Sequence, residues 1–259
     1  GTGLVKITPA HDPNDFEIGN RHDLARINVM DDDANMNKLA GEYAGLDRFE
    51  ARKKIVADLK EQGFLVKVDE HTHSVGHSER TGVMVEPRLS TQWFVKMKPL
   101  ADKALEALDA KQFSFVTERD ERVFKHWLNN IDDWPIARQI AWGIPIPAKV
   151  CDDCGHGMVD IEGAITSCAK CGGNVHRDPD TFDTWFSSGQ WPFASLGYPD
   201  STYYKNFYPT DVLETAGEII FFWVARMIMA GIEFRGDIPF KDVYIHGTVR
   251  DITGTKMSK

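Results

Sequence analysis

The spacing of hydrophobic and polar positions predicts different elements along the chain. Apolar residues recur every three to four positions over Leu46–Glu61 and over Pro99–Ala110, as they do on one face of an amphipathic helix. The stretch Ile219–Gly231 is apolar nearly all round, which predicts a buried helix. The pattern also predicts two strands, one over residues 3–8 and a buried one over Asp242–Val249.

Shorter signals complete this pattern. Asn14 is a candidate cap for a short helix from Asp15 to about Arg21. Residues 27–30 and Phe64–Val68 are candidate strands, and Asp251–Gly254 predicts a turn. Helices and strands alternate in the last third of the chain. The predicted fold class is therefore α/β with an open sheet.

Composition and charge exclude several classes of protein. The 259 residues are 42% hydrophobic, enough for a sizeable core in one large or two smaller domains. The net charge of −9 disfavours binding of DNA by bulk attraction, although a local basic groove stays possible. The longest apolar run, Ile219 to Ile232, is interrupted by Arg226 and falls short of the ~18 residues that span a bilayer. We therefore expect a cytoplasmic protein with no membrane partner, and no signal or transit peptide is recognisable.

The cysteines form the sharpest local pattern. The chain has four, spaced as C-x2-C, thirteen residues, then C-x2-C. They are Cys151, Cys154, Cys168 and Cys171. Such pairs usually lie on tight turns that direct thiolates at one zinc ion, and four thiolates leave it no open position for catalysis. Two disulfides or four free thiols are the alternatives, and the lack of a secretory signal disfavours disulfides. The pattern predicts a structural zinc.

Three motifs follow one another in the second half of the chain. They are Asp183-Thr-Trp-Phe-Ser-Ser188, the run from Glu218 to Met227, and Lys256-Met-Ser-Lys259. In this order and spacing they resemble class I aminoacyl-tRNA synthetases of the valine, isoleucine and leucine group, whose KMSKS loop begins like the last motif. The N-terminal stretch 1–15 resembles the end of that group's editing pocket, in wording closest to the valine-specific members.

The resemblance implies a ligase that uses ATP with magnesium to activate valine, transfers it to tRNA(Val), and hydrolyses mischarged threonyl-tRNA. An apolar valine pocket rejects the isosteric threonine poorly, a limit for which the valine enzyme is itself the standard worked example, so a second, hydrolytic pocket is needed. The implied site residues divide by role. They are Lys256 and Lys259 for catalysis; His246, Gly247, Glu218 and Lys259 for ATP; Trp185 and Trp223 for the valine pocket; and Lys6, Asp12 and Asp15 for editing.

Glu218 departs from the family motif, which usually has Asp at that position, and its extra methylene could shift a ribose contact. The acids near Asp12 have a simpler interpretation as helix caps, and the tryptophans as ordinary core. An isoleucyl-type synthetase, a free-standing aminoacyl-tRNA deacylase and a zinc-stapled interaction domain remain open as alternatives.

The resemblance also implies a domain organisation: the second half of a Rossmann-like class I catalytic domain, with the tail of an inserted β-rich editing domain and a small zinc module. The expected parts are 1–85 for the editing tail, 86–147 for the return into the catalytic domain, 148–176 for the zinc module and 177–259 for the catalytic half. Because the chain begins at Gly1 and has no HIGH-type motif, we expect an internal piece of a longer protein with negligible adenylation activity alone.

Overall fold

The computed structural model describes residues 3–79 and 81–257, and the chain divides into two compact units, Gly1–Thr91 and Gln92–Lys259. The helices are α1 (Pro13–His22), α2 (Arg48–Glu61), α3 (Lys98–Asp109), α4 (Glu118–Asn129), α5 (Thr184–Ser188), α6 (Trp191–Ala194), α7 (Thr202–Phe207) and α8 (Ala225–Arg235). The strands are β1 (Phe94–Val95), β2 (Ser114–Phe115), β3 (Trp134–Pro135), β4 (Ala137–Arg138), β5 (Ala148–Cys151), β6 (Gly157–Val159), β7 (Val175–Arg177), β8 (Thr181–Phe182), β9 (Thr210–Ala216) and β10 (Phe240–His246).

The first unit is built on α1, α2 and a 3-10 helix, Lys38–Tyr43. Asp47 caps α2 by accepting the Phe49 N–H at 2.8 Å, which confirms the helix predicted over that stretch. The cap of α1 is Asp12, whose carboxylate accepts the Asp15 N–H at 2.9 Å. The prediction of Asn14 as that cap was wrong: the chain enters the helix earlier because Pro13 favours its first turn.

The strands predicted in the first unit do not form in its described part. Residues 3–8 and Phe64–Val68 are irregular, and of residues 27–30 only Met30 makes an isolated bridge, to Met36. Those predictions were wrong. Alternation of apolar residues makes a strand only where a neighbouring strand pairs with it along several residues, and none of these segments belongs to a sheet in the described structure.

A parallel sheet organises the second unit. Its order is β2-β10-β9, with β10 parallel to both neighbours and Val243 opposite Leu213 and Phe115. Helices α3, α4 and α8 pack with this sheet around one core. Its largest fully buried members are Phe113, Phe124, Leu128, Ile220, Met227, Ile228 and Phe240. The predicted α/β class is confirmed for this unit.

The predicted buried helix over Ile219–Gly231 is confirmed, with an irregular start. A 3-10 turn, Gly217–Ile219, leads into one π-helical turn, Ile220–Val224, and then into α8. Gly236, with φ of 70°, ends α8 in the left-handed conformation that glycine adopts without strain. Single π turns often mark functional sites within helices, and this one begins just after β9.

A separate antiparallel sheet, in the order β6-β5-β7, carries the cysteine region. Cys151 ends β5, opposite Val175 of β7. None of the described helices has the length and apolarity that crossing a bilayer requires.

Candidate functional site

The carboxyl ends of β9 and β10 bring the predicted nucleotide-binding residues to one edge of the parallel sheet. His246, the last residue of β10, lies opposite Ala216, so Glu218 and Gly247 follow directly at the same edge. Open α/β sheets bind ligands outside the carboxyl ends of their strands. Glu218 and His246-Gly247, which were predicted as site residues from separate stretches of sequence, are thus neighbours in the fold.

The chain then returns to this edge through a small hairpin. Arg250 and Lys256 form an antiparallel bridge, and Gly254 donates its N–H to the Asp251 carbonyl at 3.0 Å, which confirms the predicted turn. The Thr253 hydroxyl and the Thr255 N–H donate to the Asp251 carboxylate and lower its pKa. The hairpin places the ammonium of Lys256 in a salt bridge with the Glu218 carboxylate.

The side chains at this edge are polar, and the backbone leaves space for a ligand. His246 Nε2 lies 3.6 Å from the Glu214 carboxylate, and both side chains are largely exposed. Glu214 is a member of this edge that sequence reasoning missed, because only the strand register brings it to His246. A Cβ on Gly247 would meet no atom within 4 Å, so its backbone is open to approach by a ligand. Lys259, the second predicted lysine, lies outside the described residues.

The two predicted pocket tryptophans lie on adjoining elements. Trp185 is on α5, and its ring stacks on Phe222 with centroids 5.8 Å apart. Trp223 is on the π turn, donates its indole N–H to the Ser188 carbonyl at 3.3 Å, and packs on Trp191. Trp185 lines an apolar pocket of about 460 Å³, whereas Trp223 is not among the residues lining it. Both indoles therefore lie where α5 packs on the π turn, but only Trp185 lines the pocket.

A buried carboxylate holds Trp185 in place. Asp183 is 4% exposed and caps α5 by accepting the Trp185 N–H at 3.1 Å. Its other oxygen accepts the Trp134 indole N–H at 3.0 Å and the Arg138 guanidinium at 2.6 Å. Sequence reasoning quoted Asp183 only as part of a motif, because none of its contacts except the cap is local in the chain.

The four cysteines converge as their spacing predicted. Their Sγ atoms all lie within 4.8 Å of one another, with 3.4 Å between Cys151 and Cys171 and 3.7 Å between Cys154 and Cys168. All four thiols are free. Burial raises the pKa of Cys168, but N–H groups of Cys171 and Lys170 outweigh it and lower that pKa to about 6.

The predicted editing residues are close in the chain, and their described contacts are internal. Asp15 accepts the N–H of Thr8 at 2.7 Å and its hydroxyl at 3.0 Å, and the first of these bonds is the main cause of its lowered pKa. Lys6 donates to the same hydroxyl at 3.3 Å. Asp12 is exposed and lines a pocket of about 360 Å³ with residues of α1 and of the segment Pro87–Leu89; Asp15 and Lys6 do not line it.

Comparison with known proteins defines the class. The family model for tRNA synthetases class I (I, L, M and V) matches residues 10–259, and the chain belongs to this family. Within it, the chain is 58% identical over 261 residues to the valine–tRNA ligase of Carboxydothermus hydrogenoformans, covering all of this chain and 30% of that protein. It is 59% identical over 262 residues to the valine–tRNA ligase of Geobacillus kaustophilus, covering all of this chain and 29% of that protein.

The chain therefore spans about three tenths of the length of these curated relatives. Among solved structures, it is similar to Mycobacterium tuberculosis methionyl-tRNA synthetase bound by methionyl-adenylate. That similarity has a TM-score of 0.46 and 17% identity, over 70% of this chain and 32% of the other.

Proposed function

We propose that this chain is the part of a valine–tRNA ligase that carries the second half of its adenylation site. The observation that supports the proposal is the sheet edge at which Glu218, His246-Gly247 and Lys256 meet. ATP with magnesium is the proposed nucleotide substrate, and tRNA(Val) the acceptor. The valine–tRNA ligases of more than 55% identity favour valine over isoleucine as the amino acid.

The chemistry at this edge would be electrostatic. Attack of the valine carboxylate on the α-phosphate of ATP would break the bond to the β-phosphate and release pyrophosphate. Negative charge is spread over the phosphate oxygens in the transition state, and a positioned cation lowers its energy. Lys256 is the described residue that can supply the cation, with Lys259 beside it in the chain. We propose that Glu218 and the backbone at Gly247 bind the nucleoside of ATP. Trp185 and Trp223 would form walls of the valine pocket.

The test is valine-dependent ATP–pyrophosphate exchange by the intact protein. Lys256→Ala should lower kcat about 10²-fold or more, the usual cost of removing one transition-state donor. Lys241→Ala is the matched control, because that lysine lies near the start of β10, away from its carboxyl end, and also forms an exposed pair with a carboxylate, Asp211, at 2.8 Å. Equal exchange by the two variants would count against the site. The 259-residue chain alone, which has no HIGH-type motif, should show negligible exchange.

We propose that the cysteine cluster holds a structural zinc ion. Tetrahedral Zn–S bonds of about 2.3 Å place sulfurs about 3.8 Å apart, close to the observed 3.4 to 3.7 Å between neighbouring thiols. The N–H of Lys170 points at the Cys168 sulfur at 3.4 Å and favours its thiolate form, which is the form that binds metal. The residues therefore fit the ion, which would hold 148–176 together and would leave no position for a substrate.

We also propose that the first unit contributes to hydrolytic editing of threonyl-tRNA, with Asp12 and Lys6 reading the threonine hydroxyl and Asp15 its ammonium. Support comes from the pocket beside Asp12 and from the relatives matched over the same residues. Asp47 supplies a control, since it caps α2 in the same way that Asp12 caps α1. In the intact protein, Asp12→Ala should abolish deacylation of threonyl-tRNA while Asp47→Ala preserves it. A similar loss of deacylation in both variants would indicate that Asp12 acts only as a helix cap.

A further inference from the structure

The apolar pocket beside Trp185 contains one buried cation that the proposed reaction does not use. The pocket has a volume of about 460 Å³. Its walls are largely aromatic and aliphatic, and include Trp134, Trp185, Phe186, Met229 and Phe234. Arg226 also lines it and is only 8% exposed. A buried charged side chain destabilises the fold unless an opposite charge lies near it.

Arg226 lacks such a hydrogen-bonded partner in the described structure. Its guanidinium stacks on the Trp134 ring, with Cζ 3.7 Å from the centroid, and its buried Nη1 meets no hydrogen-bond acceptor. Burial lowers the pKa of Arg226 to about 10, which is the direction expected for a desolvated cation. It remains charged at neutral pH.

The carboxylate whose charge acts on Arg226, Asp183, is already engaged. Asp183 accepts from Arg138, from Trp134 and from the backbone of Trp185. Asp183 therefore pairs with Arg138, and the buried guanidinium of Arg226 keeps an Nη1 without an acceptor among the described residues. An anionic group in the pocket would supply that acceptor.

We propose that this pocket binds a small monocarboxylate with an aromatic or aliphatic body, its carboxylate paired with Arg226. A planar carboxylate matches the guanidinium fork and would give the Arg226 Nη1 the acceptor it lacks. The apolar walls would take the body of the ligand, as in most small-molecule sites.

This site differs from the proposed valine pocket. An amino acid also brings an ammonium group, which needs a free acceptor. The one carboxylate among the lining residues is Glu233, and it is paired with Lys103 at 2.6 Å. Trp223, the second proposed wall of the valine pocket, does not line this pocket. The inference does not rest on the proposed adenylation activity.

Calorimetric titration with 2-naphthoate and its neutral isostere 2-naphthamide tests the proposal. The unaltered chain should bind naphthoate about tenfold or more tightly than the amide, as expected when a charged hydrogen bond replaces a neutral one. Arg226→Met keeps a long apolar side chain at this position and should bring the ratio of the two affinities to about one.

Ala230→Phe fills the pocket while Arg226 stays in place, and it should weaken binding of both probes. Thermal unfolding curves verify that each variant is folded. Equal affinities in the unaltered chain, no binding of naphthoate at millimolar concentration, or a preference for naphthoate that survives Arg226→Met would each overturn the proposal. Unchanged binding in Ala230→Phe would place the site elsewhere and overturn it as well.

Discussion

Replacing Asp183 by alanine should destabilise the second unit strongly. The carboxylate is 4% exposed and accepts three hydrogen bonds, from the Trp134 indole, the Arg138 guanidinium and the Trp185 backbone. Removing one partner of a buried charge pair typically costs about 3–5 kcal/mol. Since the Arg138 side chain is 39% exposed and water can reach it, the lower end applies, and we expect a loss of about 3 kcal/mol.

Calorimetric unfolding measures this loss directly. For a unit of this size each kcal/mol lowers Tm by about 2–4 °C, so Asp183→Ala should lower the transition of the second unit by about 6–12 °C. Asp211→Ala is the matched control, because its pair with Lys241 is exposed and worth only about 0–1 kcal/mol. If the two variants differed by less than about 0.5 kcal/mol, the buried cluster around Asp183 would not have the energetic role assigned to it.

Three further predictions concern the metal, the nucleotide edge and acid stability. Cys168→Ser should reduce bound zinc, measured by elemental analysis, and raise hydrogen exchange in 148–176 while the parallel sheet stays protected; a full complement of zinc would contradict the assignment. Glu218→Gln should weaken ATP binding in the intact protein, measured by equilibrium dialysis, whereas Glu233→Gln should not. Because Thr8 lowers the pKa of Asp15, this carboxylate stabilises the first unit above its unfolded pKa, near 3.8, and the contribution disappears as pH falls through the lower folded value. Asp15→Asn should therefore weaken the dependence of the free energy of unfolding on pH below about pH 4. An unchanged dependence would show that the Asp15 carboxylate does not make this contribution.

Structural features that depend only on residues close together in the sequence were predictable from the sequence. The helix at Arg48–Glu61 was predictable because its apolar spacing, its cap and the stop at Gly63 all lie within one stretch. The cysteine cluster was predictable for a similar reason, since the spacing of two short turns determines where four thiols point. The strand over residues 3–8 failed because pairing depends on a neighbour that alternation does not reveal.

The candidate site shows the same division. Glu218 and His246 were assigned to one site through the resemblance of their motifs to the family, and the parallel pairing of β9 and β10 aligns the carboxyl ends of the strands that carry them. The cluster of Arg138, Asp183 and Arg226 could not be found this way. Its members are more than forty residues apart and lie on a strand, a helix cap and a buried helix, so only the packed fold brings their charges together.

The salt bridge of Lys256 with Glu218 bears on how the proposed nucleotide edge would work. Bound to Glu218, the lysine is not free to meet a phosphate, so the pair would have to open when ATP arrives. The two side chains are 57% and 41% exposed, and an exposed pair of this kind is worth about 0–1 kcal/mol. A phosphate with more than one negative charge competes easily with a bond of that strength. The pairing therefore positions the hairpin at the edge without opposing the exchange of partners that catalysis would require.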